Sequence, residues 1–307
     1  MNRVKVFAPA SIGNIGPGFD LLGMAIAGIG DRVIATKLDA PGVVLSKMTG
    51  EIDRLPYRAD QNTAGIAAQA VCDFLKTKKG VALTLHKGVP GTGLGSSAAS
   101  AVAAAFATNL LFGAPLTRAE LIPLAAVAET QVSGGSFLDN IGPSMMGGVT
   151  WNNPFTKEVV PLGVLDKAII IIAIPDFRLL TRQSRQSLPA SITMDQFISN
   201  MAYASIMAWA ITKKDLIRFG QSIQDKVAEP VRAPLIKGFD HVKKEALASG
   251  AFGCSIAGAG ASVFAITDDS KKAIKIGAAM EKQFLRHNVI AKILITTIDR
   301  KGTRRVQ

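Results

Sequence analysis

The chain has 307 residues with 35 Lys and Arg against 23 Asp and Glu, a formal net charge of +12, and it is 48% hydrophobic but only 19% charged. Those proportions exclude a disordered or fibrous protein and fit one large or two ordinary domains with a substantial core. Two widely separated cysteines, Cys72 and Cys254, give neither a disulfide framework nor a zinc spacing, and the most apolar run, AIIIIAI over 168–174, is far shorter than the ~20 residues that span a bilayer. With no secretory leader at its N-terminus, the sequence reads as a cytoplasmic protein with no membrane partner.

In chain order, alternation and β-branched content predict a strand at 3–11 and another at 31–39, a helix over 63–76, and a strand at 81–87. Helices follow over 96–112 and 118–133, then a strand at 167–175. The remainder reads as helices over 194–212, 214–227 and 233–249, a strand pair at 253–267, a helix over 270–286 and a strand at 291–299. Helices do not alternate strictly with single strands, so the expectation is an α+β pair of domains with a seam near 152–166, where NNPFTKE precedes the apolar strand.

The basic excess is uneven: residues 1–212 hold 17 basic and 14 acidic side chains, residues 213–307 hold 18 and 9. In the last third it is scattered over helical segments whose spacing fits solvated faces. No zinc finger, RNP motif or basic zipper accompanies it, and no nucleic-acid partner is expected.

Glycine and small residues concentrate at three turns. APASIGNIGPGFDLLGMAI (8–26) packs Asn14, Gly16, Gly18 and Asp20 into a loop; PGTGLGSSAASAVAA (90–104) leaves a strand and runs into an Ala-rich helix; GCSIAGAGASVFAI (253–266) places Gly258 and Gly260 between two strands. In the second, glycines at 91, 93 and 95 let backbone N–H groups converge, and the helix start at Ser96–Ser97 adds unpaired donors, a concavity suited to phosphate. It matches neither GxxxxGK[ST] nor GxGxxG. Each segment also reads as an ordinary turn, hairpin or capped helix start.

In this order the three segments resemble the three signature motifs of the GHMP kinases, and the middle run, PGTGLGSSAA (90–99), is the most specific of them. Within that superfamily NIGPGFDLLG (14–23), TRQSRQSLP (181–189) and EPVRAPLIKG (229–238) are similar to segments of the homoserine kinase family. The resemblance implies a GHMP kinase fold of class α+β, with an ATP-binding N-terminal domain (1–160) like the second domain of ribosomal protein S5. A ferredoxin-like C-terminal domain (161–307) would follow, with the ligands in the cleft between them. It further implies ATP as phosphoryl donor, Mg²⁺ as metal, the side-chain hydroxyl of L-homoserine as acceptor in threonine biosynthesis, and homodimer formation.

Residue by residue, the resemblance places ATP on Pro90, Gly91, Thr92, Gly93, Leu94, Gly95, Ser96, Ser97 and Ala98, with Asn62 and Lys87 near the base or ribose. It places Mg²⁺ on Ser96 and Glu129, consistent with a cation that needs few protein oxygens beside phosphates. The amino-acid pocket would use Arg185 and Arg232 for a carboxylate, Asp20 with Asn14 and Asn140 for an ammonium, and Thr181 near the hydroxyl. Arg185 and Glu129 are counted with Asn140 as catalytic. Asn140 stands where mevalonate-type relatives carry a catalytic Asp, and an amide cannot accept a proton at neutral pH, so Asn140 would orient the hydroxyl while the γ-phosphate, or alternatively neighbouring Asp139, takes the proton. Three departures concern loop shape: Ile12-Gly13 before the first motif, Ala261 after the third, and SGGSFLDN (133–140) in place of an EGHPDN pattern. Another GHMP small-molecule kinase, or a catalytically silent ligand-binding relative, is the alternative. His86, His241 and His287 fall in no catalytic pattern.

Overall fold

The computed structural model describes residues 1–51, 55–133 and 137–307. Strand β1 (Arg3–Gly13) pairs antiparallel with the 17-residue β2 (Leu22–Leu38), and the register skips where Pro9 faces Gly30 and Ala10 faces Ile26. Such a bulge bends a hairpin, so the two halves of these long strands serve different parts of the molecule. Strand β3 (Val43–Gly50), helix α1 (Thr63–Phe74) and β4 (Gly80–Lys87) follow, with β3 parallel to β4 and β4 antiparallel to β2. Helices α1, α2 (Ser96–Leu111) and α4 (Leu138–Met146) cover the sheet, and α3 (Arg118–Ser133) packs on these three helices. The alanines of α2 lie against Val33, Ala35, Leu83 and Leu85 in one core; side chains this small let the helix sit close to the strands.

A hairpin of β5 (Val149–Asn152) and β6 (Val159–Gly163) joins the same sheet through β2. A second, antiparallel sheet opens with β7 (Ile169–Pro175) and is interrupted by α5 (Thr181–Gln186), α6 (Met194–Thr212), α7 (Leu216–Gln221), α8 (Ala228–Arg232) and α9 (Phe239–Ala248). It resumes with β8 (Gly253–Ile256) and β9 (Val263–Thr267), then α10 (Ser270–Arg286) and β10 (Ala291–Thr297), in strand order β10-β7-β9-β8. The run IIIIAI is apolar throughout because β7 is covered on both sides. Ile171 and Ala173 pack on α9 and α10, while Ile170 and Ile172 join Ile12, Met24 and Ile26 of the first sheet and Met207 and Ile211 of α6.

Residues after β10 return to the first sheet, where β11 (Arg304–Arg305) pairs with β1. On the way Arg118, at the start of α3, donates to the carbonyls of Met145, Lys301 (3.1 Å) and Thr303 (2.7 Å), and Thr303 Oγ1 donates to Ser144 O (2.9 Å). The boundary expected at 160/161 falls inside β6. Among the described residues no helix is long and apolar enough to cross a membrane.

Several expectations differ from what is observed. Residues 22–26, read as the end of a glycine-rich loop segment, are strand, and Asn140 and its LDN neighbours, read as lying at a loop, open α4. The helix expected over 214–227 stops at Gln221, and the Asp225 carboxylate starts α8 by accepting from the N–H groups of Val227, Ala228 and Glu229. The one expected over 233–249 begins only at Phe239, after Gly238 in the left-handed region (φ 87°).

The two sheets meet where glycine segments touch. Ser262 N donates to Thr92 O (2.9 Å), Gly258 N to Gly13 O (3.2 Å) and Ser11 N to Leu94 O (3.1 Å). Gly93, at φ 94°, faces the Ala257 carbonyl so closely that a Cβ would overlap it, whereas Gly113, at φ 96°, has open space around it. Gly113→Ala therefore reports the left-handed backbone cost alone, and Gly93→Ala that cost plus the lost approach. The expected result in thermal unfolding is a fall in Tm larger for Gly93→Ala by roughly 4–8 °C, about 2 kcal/mol. Equal losses would show that the close approach does not matter.

Candidate active site

The contact of the three glycine segments leaves a cavity of about 270 Å³ between the two sheets. Its floor is the loop after β4. Gly91, Gly93 and Gly95 line the cavity together with Ser96, Ser97 and Ala98 at the start of α2, while the residues between the glycines turn inward. Leu94 is fully buried in the core, Thr92 Oγ1 accepts from Ser262 Oγ (2.9 Å), and Pro90 lies off the cavity wall. Of the run assigned to ATP, Pro90, Thr92 and Leu94 thus shape the loop and do not face the space. Gly95 is left-handed (φ 67°) at the N-cap of α2, which leaves the first N–H groups of a 16-residue helix directed at the cavity.

Beneath the loop lies a buried ionic knot. Asp31 accepts from Gly88 N (2.9 Å), Val89 N (3.1 Å), Ser100 Oγ (2.6 Å) and Lys87 Nζ (2.5 Å), and Lys87 Nζ donates also to Ser96 O (2.6 Å) and Ser100 Oγ (2.8 Å). An ammonium has three donors, so this set occupies Lys87 fully. Its side chain lines the cavity, but its charge is directed to fastening the loop and not to a nucleotide base. Asn62 is likewise engaged: Oδ1 caps α1 at Ala64 N (3.0 Å) and Nδ2 donates to Pro56 O (3.0 Å). Ser96 Oγ donates to Val89 O (2.9 Å), leaving its lone pairs toward the cavity.

The opposite wall is built by the loop between β1 and β2, which carries three non-glycine residues in the left-handed region: Asn14 (φ 69°), Ile15 (φ 51°) and Asp20 (φ 57°). For β-branched Ile15 that conformation is strained, and it persists because the side chain is fully buried. Asn14 ties all parts together: its N–H donates to Asp139 Oδ2 (3.1 Å), Nδ2 to Gly258 O (2.8 Å), and Oδ1 accepts from Asp20 N (3.1 Å). Asp20 meets Arg185 of α5 in a two-pronged ion pair (2.9 and 2.7 Å), which raises the arginine's pKa. Arg232 of α8 is buried, which lowers its pKa, and donates to Gly258 O (3.2 Å). Both guanidinium groups sit over the Phe19 ring, 5.4 and 5.0 Å from its centroid, and Arg185 also over Phe137 at 4.7 Å. Thr181 opens α5; its side chain is outside the described set, as are residues 134–136 of the departing SGGSFLDN segment. Phe19, Phe137 and Asp31 were not legible as site residues, because nothing in their own segments marks them.

Two carboxylates complete the cavity. Glu129 of α3 is buried in its wall, and Asp139, in the first turn of α4, is buried with Asn140 beside it. Asn140 Oδ1 accepts from Ser11 Oγ (3.0 Å), which directs its amide N–H groups elsewhere. Burial, with the nearby negative charges of Asp20 and Glu129, pushes the Asp139 carboxyl up to about 7, against the opposing hydrogen bonds of the Asn14 N–H and the Asn140 side chain. Since this carboxyl binds its proton more tightly in the folded chain than the unfolded one, stability is lost as pH rises from about 4 to 7. Asp139→Asn should therefore raise Tm at pH 8, in metal-free buffer, and change it little at pH 4. A gain equal at both pH values would contradict the shifted carboxyl.

The chain matches the GHMP kinases N terminal domain over residues 62–148 and the GHMP kinases C terminal domain over 207–286. It is 40% identical to a homoserine kinase of Arabidopsis thaliana, covering 99% of this chain and 84% of that protein, and 35% identical to one of Chloroherpeton thalassium, covering 99% of each. The crystal structure of homoserine kinase from Cytophaga hutchinsonii superposes with a TM-score of 0.95 at 36% identity, over 100% of this chain and 98% of that one. A chain alike in sequence over its whole length and in fold to this degree, with the signature glycines in mutual contact around one cavity, belongs to the homoserine kinase family of the GHMP kinases.

Proposed function

We propose that the cavity transfers the γ-phosphoryl group of ATP to the side-chain hydroxyl of L-homoserine, giving O-phospho-L-homoserine for threonine biosynthesis. The observation that carries the acceptor is the set of charges on one wall. Arg185 and Arg232 share the Phe19 ring and line one space with Asp20, so a zwitterion can exchange the Asp20–Arg185 pair for two crossed pairs, its ammonium on Asp20 and its carboxylate on the arginines. A mevalonate or sugar carries no ammonium to satisfy Asp20 in return.

The donor end is supported by the loop 91–97, where backbone N–H groups and the α2 N-terminus are placed to receive phosphate oxygens. We assign residues 1–160 chiefly to the nucleotide and 161–307 to completing the acceptor pocket through Arg185 and Arg232. For Mg²⁺ the residues fit: Ser96 Oγ keeps its lone pairs free of its own donated hydrogen bond, Glu129 lines the same wall, and Glu129 and Asp139 destabilise each other's charge, a repulsion that a divalent cation relieves. When bound with ATP it supplies charge neutralisation on the phosphoryl group.

In the transfer step the acceptor oxygen bonds to the γ-phosphorus as the bond to the β,γ-bridging oxygen breaks. The Asn140 amide orients the hydroxyl. Two groups can take its proton, a γ-phosphate oxygen or Asp139, whose equilibrium near 7 leaves a large ionised fraction at neutral pH. Asp139→Asn decides: a fall in kcat of roughly 10²-fold or more assigns the proton to Asp139, and a change under tenfold assigns it to the phosphate.

ADP release measured with L-homoserine, mevalonate, galactose and shikimate tests the substrate, and absence of turnover with homoserine would overturn the reading. Arg232→Leu should raise the homoserine KM about 10- to 100-fold and leave that of ATP within twofold. Glu129→Gln should raise the Mg²⁺ concentration needed for half-maximal rate; an unchanged requirement would remove Glu129 from the metal site.

A further inference from the structure

The cations near the cavity are mostly engaged. Lys87 is held by Asp31, Ser96 O and Ser100; Arg185 is paired to Asp20; Arg232 is turned to the carbonyls of Ser184 (3.4 Å) and Gly258. A nucleoside triphosphate carries several negative charges, more than backbone dipoles and one divalent ion neutralise.

Arg178 is differently placed. It lies in the connection from β7 to α5, on the second sheet's side, yet its guanidinium rests on the phosphate loop of the first: a Cβ built on Gly91 would sit 3.6 Å from Arg178 Cζ and Nε and 3.7 Å from Nη1. The next residue, Leu179, lines the cavity. The carboxylate facing Arg178 is Glu51, just past β3, at 3.9 Å, beyond hydrogen-bond distance and with both side chains substantially exposed (41% and 55%). Glu51 N donates to Lys87 O (3.1 Å), which fixes that residue at the rim beside the loop.

We propose that Arg178 is a polyphosphate-binding residue of this enzyme: on nucleotide binding its guanidinium leaves Glu51 and closes over Gly91 onto the phosphate oxygens. The inference rests on the reading of this cavity as the ATP site. A planar fork already parked on the loop backbone needs only a side-chain rotation, and the weak, exposed pair with Glu51 costs little to break. It is also the side chain by which the second sheet's half of the protein would sense an occupied nucleotide site.

Direct titration of the full-length protein with Mg²⁺-AMPPNP and with adenosine tests this. Arg178→Met is expected to weaken AMPPNP at least tenfold and adenosine less than twofold, with Tm and the homoserine KM unchanged. Arg178→Lys should recover part of the loss, since an ammonium keeps the charge without the fork. Glu51→Gln should tighten AMPPNP by about two- to fivefold by removing the competing carboxylate. Unaltered AMPPNP binding in Arg178→Met, or equal losses for AMPPNP and adenosine, would overturn the assignment, and weaker AMPPNP binding in Glu51→Gln would overturn the exchange. A wild-type protein that binds AMPPNP but phosphorylates some other alcohol would overturn the homoserine reading and leave Arg178 standing; one that does not bind AMPPNP would overturn both.

Discussion

Backbone touching backbone, with no side chain between, is the constraint on which the cavity depends. At Gly93 and Gly258 the loop of one sheet lies against the hairpin of the other, and a Cβ at either would collide with the facing backbone. Because these contacts use main-chain atoms, the segments lock by hydrogen bonds such as Ser262 N to Thr92 O while the N–H groups at the α2 N-terminus stay unpaired and accessible. Had larger residues held the sheets apart, Asn14 could not have reached Asp20, Asp139 and Gly258 at once.

Two buried aspartates show how differently the molecule treats charge. Asp31 receives four donors, including an ammonium, and secures the loop from beneath. Asp139 has only the Asn14 N–H and the Asn140 side chain to set against burial and two other acids, so its carboxylate is held at a disadvantage. Together with left-handed Ile15, it marks the wall where local structure is least comfortable. Discomfort concentrated at one cavity while the surrounding core is well satisfied is the pattern of a functional site in a stable scaffold.

Much of this was legible from the chain alone, for stated reasons. The three glycine segments and the Arg185 and Arg232 segments carry their information in consecutive residues, and the structure brings them to one space. The first half of β2 was not legible because Gly23, Gly28 and Gly30 erase the alternation of a strand; Gly23 is needed where the Asp139 carbonyl passes. Helix α4 was obscured by Gly142 and Pro143 in a nine-residue element. The occupation of Lys87 depends on Asp31, its neighbour only through the β2–β4 pairing, and the inward turn of Thr92 and Leu94 depends on the opposite hairpin. Properties that belong to one segment were readable, and those that belong to a contact between distant segments were not.

The return of residues 298–305 to the first sheet has a consequence for biosynthesis. Strand β11, which covers an edge of β1, and the carbonyls that anchor Arg118 of α3 leave the ribosome some 300 positions after β1 itself. The same stretch steadies the end of α4 through Thr303 and Ser144. Helices α3 and α4 carry Glu129, Asp139 and Asn140, so a nascent chain with its glycine loop 91–95 already folded still lacks the clasp on the elements that bear these side chains. The first sheet, begun before the second, is completed only after it, and β1 keeps an edge open to wrong partners until residues 304–305 have emerged.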